Sequence, residues 1–224
     1  MIKVWDLFVR LSHWLVVLFV AFAWLSANYG DAEFKWHSLN GYAIFVLVIS
    51  RVIWGIVGSS SARFSHFVKS PFKVFLYLKE LLKGKAPTFL GHNPAGAWMV
   101  VILLVTLLFQ AVTGMFSSDD ILAEGPFTYV VSGKIVSIMT GLHHLGFDIL
   151  MVLVAFHVVA VLFHQFFKKE KLLEGMVRGD KPVSKKTSSA SQVNEVFLFK
   201  PFYYSLLIIT LVAFLFYLVL NHYA

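Results

Sequence analysis

The chain has 224 residues, of which 58% are apolar and 14% charged, with a net charge of +7 and no cysteine. A soluble domain usually has about 45–50% apolar and about 25% charged residues, so this composition is that of an integral membrane protein. The missing thiols exclude disulfides, cysteine-ligated iron–sulfur clusters and covalent haem attachment through C-x-x-C-H.

Five stretches are long enough to cross a bilayer, which takes about 20 residues. They lie near 11–28, 37–57, 96–116, 143–166 and 199–220. Helices are expected, because a lipid-exposed backbone must satisfy its own hydrogen bonds and the alternation of barrel strands is absent. The first stretch also has Ser26-Ala27 near a possible signal cut, but it is long, aromatic and carries a histidine. Between the second and third, residues 71–84 mix Phe72, Phe75, Leu78 and Leu82 with lysines and read as an amphipathic surface helix. After the fourth stretch, 176–194 is rich in Lys, Ser and Gly and reads as a flexible linker. The expected fold is therefore all-α, a four-helix membrane domain over 1–170, a basic linker over 171–198 and an additional fifth helix over 199–224. That last helix has no polar group between Thr210 and Asn221, which suits a peripheral position or a docking surface.

Charge sets the orientation. With the N-terminus, the 58–95 loop and the 167–198 loop on one side, that side and its helix ends hold 17 of the 19 Lys and Arg. The other side holds Lys35 and Lys134 beside Asp31, Glu33, Asp119, Asp120 and Glu124. The positive-inside rule makes the first side cytoplasmic and puts the C-terminus outside. The basic charge is then a topology signal, not a sign of nucleic-acid binding.

Histidines mark the site. His143 and His157 are fourteen residues apart on the fourth segment. Fourteen helical residues turn to within about 40° of the start and rise about 21 Å. One helix thus presents two imidazoles on nearly one face, near opposite membrane surfaces. His13 begins the first helix near the inner face, and His37 begins the second near the outer face. Depth pairs His13 with His157 and His37 with His143. A lone membrane histidine serves equally well by hydrogen-bonding a neighbouring helix; four at matched depths point to two bis-imidazole sites, for which iron porphyrin is the fitting cofactor. Two haem b groups, non-covalent, follow.

His144 points about 100° away from His143, with Asp148 one turn on as a partner, and His164 shares the face of His157 about 10 Å further in as a competitor for its role. His66 and His222 read as interfacial. Gly41, one turn after His37, with Gly114 and Gly146, permits close approach of a flat cofactor or of another helix. Arg10 and Arg51, at inner helix ends, suit haem propionates or headgroups, and Arg10 is nearer its histidine.

The Ser12-His13-Trp14 opening, His37 with Gly41 and Arg51, Leu142-His143 and the step to His157 and on to His164 resemble bacterial cytochrome b561. They are similar also to the cytochrome b subunits of nickel–iron hydrogenases and formate dehydrogenases. The resemblance covers about residues 5–170. It implies four helices holding two b haems in a respiratory electron-transport chain, between quinone and an outer partner, and the same histidine pairing. The fifth helix departs from that four-helix pattern. Gly91-His92-Asn93-Pro94 looks like a motif of the hydrogenase-type cytochromes. The resemblance implies a quinone site at Asn93, with His92 as a proton donor or acceptor near pH 7; a plain cap for the third helix is the other reading.

The expected function is electron transfer between membrane quinone and a periplasmic c-type cytochrome or oxidoreductase subunit. A superoxide:quinone oxidoreductase acting alone is a variant, with Lys35 and Lys134 drawing an anion to the outer haem, although the outer acids suit a basic partner better. A metal-ion transporter using the same histidines belongs to another class, and it would want carboxylates beside them, where the sequence offers Asp148.

Overall fold

A computed structural model describes residues 1–29, 35–119, 123–182 and 197–223. Five helices in it are long and apolar enough to cross a membrane: α1 (Leu7–Tyr29), α2 (Lys35–Val57), α5 (Pro94–Met115), α6 (Gly133–Phe166) and α8 (Phe202–Tyr223). Between α2 and α5 run the short α3 (Phe64–Phe67) and the amphipathic α4 (Pro71–Leu82); α7 (Leu172–Arg178) follows α6. Two short strands, β1 (Ile2–Lys3) and β2 (Asp180–Lys181), pair antiparallel.

Local chemistry starts the helices. Asp6 caps α1: its Oδ1 accepts from Val9 N at 2.8 Å, and its Oδ2 accepts from Trp54 Nε1 at 2.8 Å, which ties the start of α1 to the end of α2. Pro71 and Pro94 occupy the first turns of α4 and α5, where a missing N–H costs nothing. The boundaries follow the hydropathy pattern within a few residues except on α6, which begins ten residues before the expected 143. Gly133–Leu142 contains Lys, Ser, Thr and two Gly, too polar to read as a span yet helical once Ser132 starts the turn.

The helices pack α1 on α2, α2 on α5 and α5 on α6. Ile44, Val48, Leu107 and Leu150 form a mid-bundle core. A second core at the end bearing the N-terminus joins Phe8, Val9, Trp54 and Ala62, with Met176 and Phe202 against them. The long helices leave residues such as Phe156, Val159 and Leu207 more than 60% exposed, an apolar surface that suits lipid. On α4, Phe72, Phe75 and Leu82 are exposed and Tyr77 is buried, as expected of a surface helix.

α8 packs along α2, with Phe216 against Tyr42 and Phe45. Serines fasten its entry: Leu198 N donates to Ser60 Oγ and Lys200 N to Ser59 Oγ. The stretch expected to be a linker is partly built into the fold, since α7 and β2 lie within it; residues 183–194 of that expectation, and Asp31, Glu33 and Asp120, lie outside the described residues. Gly179, at φ +94°, ends α7 in the left-handed region, and its carbonyl accepts from both Val4 N and Trp5 N.

Asp6→Ala should lower stability by about 2–3 kcal/mol, through loss of the cap and an unsatisfied indole N–H on the buried Trp54. Asp6→Asn, which keeps the capping oxygen, should lose less. Thermal unfolding in detergent checks this, and unchanged melting of Asp6→Ala would refute the bridging role.

Candidate functional site

The structure brings the four histidines together in two pairs. At the end bearing the N-terminus, the basic end, His13 on α1 faces His157 on α6 with ring centroids 6.3 Å apart. At the far end, His37 on α2 faces His143 on α6 at 6.2 Å. Two imidazoles sharing one metal from opposite sides, at about 2.0 Å per bond and roughly 1.1 Å from nitrogen to ring centre, hold their centroids about 6.2 Å apart. Both pairs have that spacing.

At the far end the neighbouring groups select the ligating nitrogen. His37 Nδ1 lies 3.0 Å from the Ala23 carbonyl, and His143 Nδ1 lies 3.0 Å from the Gln110 carbonyl. A carbonyl can only accept, so each Nδ1 carries the proton and each Nε2 carries the lone pair. Holding the second imidazole nitrogen in this way is the usual support of a metal-bound histidine. Thr113 Oγ1 also sits 3.3 Å from His143 Nδ1, and Gln110 Nε2 3.4 Å from its Nε2. At the basic end, His13 Nδ1 is buried with no hydrogen-bond partner.

Space is present as well. α6 packs closely on α5 but not along α1 or α2, so the histidine pairs bridge a gap between helix layers. At the far end the gap is a cavity of about 480 Å³ lined by His37, Gly41, Gln110, Gly114 and His143, within the usual range for small-molecule sites. A Cβ on Gly41 would meet nothing within 4 Å, whereas one on Gly114 would lie 2.9 Å from His143 Cε1. Gly41 therefore opens onto the void, and Gly114 leaves room for the imidazole. At the far end, ring spacing, nitrogen orientation and a mostly apolar void fit a bis-histidine porphyrin; at the basic end the ring spacing fits one. Among the described residues, no group of three or more His, Cys, Asp or Glu side chains comes together.

The remaining candidates have other surroundings. His144 is exposed and lines the far-end cavity with its ring 6.4 Å from that of His143, and Asp148 is exposed. His164 is buried, and its Nδ1 lies 3.2 Å from Glu170 Oε2, which assigns it to an ion-pair cluster with Lys168. Its hydrogen bond to His164 and the adjoining charges hold Glu170 below the usual carboxylate range, against the effect of burial. Arg10 Nη1 donates to the Val177 carbonyl at 2.6 Å, and Arg51 is buried beside the Ala62 carbonyl.

Asn93 caps α5, its Oδ1 accepting from Gly96 N at 2.8 Å. His92 sits between Trp5 and Phe67, at 4.5 and 4.4 Å. Burial, then Arg51, Lys181 and His157, push its pKa down to about 3. A His92 neutral at pH 7 can hydrogen-bond but does not fit the expected role of proton exchanger there. Sequence reasoning missed Gln110 and Thr113; their signal was two polar residues three apart in an apolar helix, just before Gly114. It also missed Lys181, which only the β1–β2 pairing brings to the site.

Comparison with known proteins shows the family. A family model described as prokaryotic cytochrome b561 matches residues 4–179. Proteins named probable Ni/Fe-hydrogenase B-type cytochrome subunit are similar over most of the chain. That of Azotobacter vinelandii is 28% identical over 213 residues, 80% of this chain and 87% of its own. That of Azotobacter chroococcum is 26% identical over 214 residues, with the same coverage of 80% and 87%. One from Bradyrhizobium diazoefficiens is 23% identical over 159 residues, 65% of this chain and 64% of its own. The chain belongs to the prokaryotic cytochrome b561 family, as a multi-pass membrane cytochrome of the b type that carries electrons.

Proposed function

We propose that the chain binds two b haems, one between His13 and His157 and one between His37 and His143, and passes electrons between quinone at the basic end and a redox partner at the far end. The observation that carries this is the pair of imidazole spacings, 6.3 and 6.2 Å, on a single helix. Each iron would have both axial positions filled by protein, which suits electron exchange and not oxygen binding. The positive-inside rule puts the basic end in the cytoplasm of a bacterial inner membrane and the C-terminus in the periplasm. The far end carries Asp119 and Glu124 at the cavity, which favours a basic periplasmic partner such as a c-type cytochrome. The names of the relatives favour an oxidoreductase subunit of the hydrogenase kind.

For quinone, support comes from Asn93 at the basic end of α5, whose Oδ1 is taken by the cap and whose Nδ2 can donate to a quinone carbonyl. His92 beside it serves as a neutral hydrogen-bonding group.

A pyridine haemochrome assay should give two haems per chain. His13→Ala and His157→Ala should remove one and the same haem, and His37→Ala and His143→Ala the other, while His144→Ala and His164→Ala retain both. One haem or none in the parent protein, or loss of a haem in His144→Ala, would refute the assignment.

Asn93→Asp should keep the cap and both haems but lose the donor. Haem reduction by a quinol analogue should then slow about tenfold, the equivalent of one hydrogen bond of about 1.4 kcal/mol. Stopped-flow absorbance measures the rate. Unchanged rates in Asn93→Asp and His92→Ala would move the quinone site elsewhere.

A further inference from the structure

Several buried cationic or N–H groups at the basic end have no anion. Lys181 is 5% exposed and Arg51 7% exposed, and neither has a carboxylate within ion-pair distance among the described residues. Arg10 Nε and His92 Nδ1 are buried without hydrogen-bond partners. The nearby acids are already engaged. Asp6 holds Val9 N and Trp54 Nε1, and Glu170 holds His164 and Lys168. A buried charge without a partner is expensive, so such a set implies a missing negative group.

A chain of ring contacts links Lys181, His92 and Arg51. Lys181 Nζ lies 5.7 Å from the Trp5 ring, and Trp5 packs on His92. On its other side His92 packs on Phe67, Phe67 on Phe64, and Phe64 carries the Arg51 guanidinium at 5.6 Å. The same segment reaches the histidine pair: Trp14 Nε1 donates to the Met176 carbonyl at 3.3 Å, one residue from the Gly175 that Lys181 passes, and the Trp14 ring lies edge-on to His13 at 5.0 Å.

Lys181 is brought there by construction. Its backbone pairs with Ile2 in the β1–β2 ladder, and Gly179 O holds Val4 N and Trp5 N at 2.7 and 3.0 Å. Its stem runs past α7 at Gly175, where an added Cβ would lie 3.1 Å from Lys181 Cγ. Burial brings its pKa down to about 8, opposed by Glu170, which leaves it protonated at neutral pH. The family match ends at residue 179, so Lys181 lies just beyond it.

We propose that Lys181 is the counter-charge to a propionate carboxylate of the haem between His13 and His157, and that its charge raises the potential of that haem. This rests on the reading that a haem occupies the basic-end pair. A fixed cation favours the reduced, less positive state of a nearby iron, so removing it lowers the potential.

The test is a redox titration of the purified, full-length protein followed by visible absorbance. Lys181→Met keeps the stem over Gly175 and removes the charge. One of the two haem transitions should fall by about 59 mV, a tenfold change in a one-electron equilibrium. The same shift should appear in the His37→Ala background, where only the basic-end haem remains. Lys181→Arg should retain the parent potential. If Lys181→Met loses the basic-end haem, retention of it in Lys181→Arg supports the proposal, and loss in both overturns it. Two intact haems with neither potential moved also overturn it, as would be found if an anionic lipid headgroup were the true partner. Haem content unchanged by His13→Ala in the parent protein overturns the underlying reading, and the proposal with it.

Discussion

An α-helix returns a side chain to within about 40° of its starting face after fourteen residues, about 21 Å along. On α6 this relation fixes where His143 and His157 stand, and the bundle is arranged around it. α1 and α2 run in opposite directions, so the histidine near the start of each arrives at an opposite end of α6. α5 supports α6 from behind, and Gln110 and Thr113 hold the His143 ring while Gly114 makes way for it. α6 stays away from α1 and α2, which leaves space between the imidazoles. Helices packed at the usual 8–10 Å would close that space.

The basic end adds a second layer of construction. The N-terminal residues, the turn after α2 and the segment after α6 are far apart in sequence but interlock through Asp6, Trp54, Gly179 and the β1–β2 ladder. The result is an interlocked cap at the basic end that holds the buried cations Arg51 and Lys181. The far pair instead opens into a cavity with acidic residues at its edge. The two histidine pairs are alike in residue type and differ in electrostatic surroundings; on the proposed reading, that difference would set two chemically alike centres at different potentials.

Much of this was legible in the sequence. The spans, the amphipathic α4 and the histidine pairing follow from hydropathy and helical phase, which are local properties. The extension of α6 to Gly133 was hidden because a helix continuing past the apolar layer has no hydropathy signal. Residues 172–181 read as linker because Lys, Ser and Gly composition says nothing about pairing with a strand at the opposite end of the chain. His164 could be separated from His157 only once Glu170 was seen to bind it, since both share one helix face. Asn93 reads equally as a cap or a ligand group in sequence; the structure shows the capping bond, and that bond leaves its amide nitrogen available.

The mid-bundle core has an electrical consequence. Leu150 lies seven residues from each α6 histidine, and with Ile44, Val48 and Leu107, and Phe19 packed against them, it forms an apolar layer between the two pairs. Such a layer has low polarisability and no ionisable group, so it belongs to the low-dielectric region across which the membrane voltage falls. Charge crossing a full bilayer changes energy by about 2.3 kcal/mol per 100 mV. An electron moved from one histidine pair to the other traverses about 21 Å of a roughly 30 Å hydrocarbon core. On the proposed reading that transfer would be electrogenic: the membrane voltage would assist electrons travelling toward the positive face and oppose the reverse, so the energised state of the cell would help set the direction of flow.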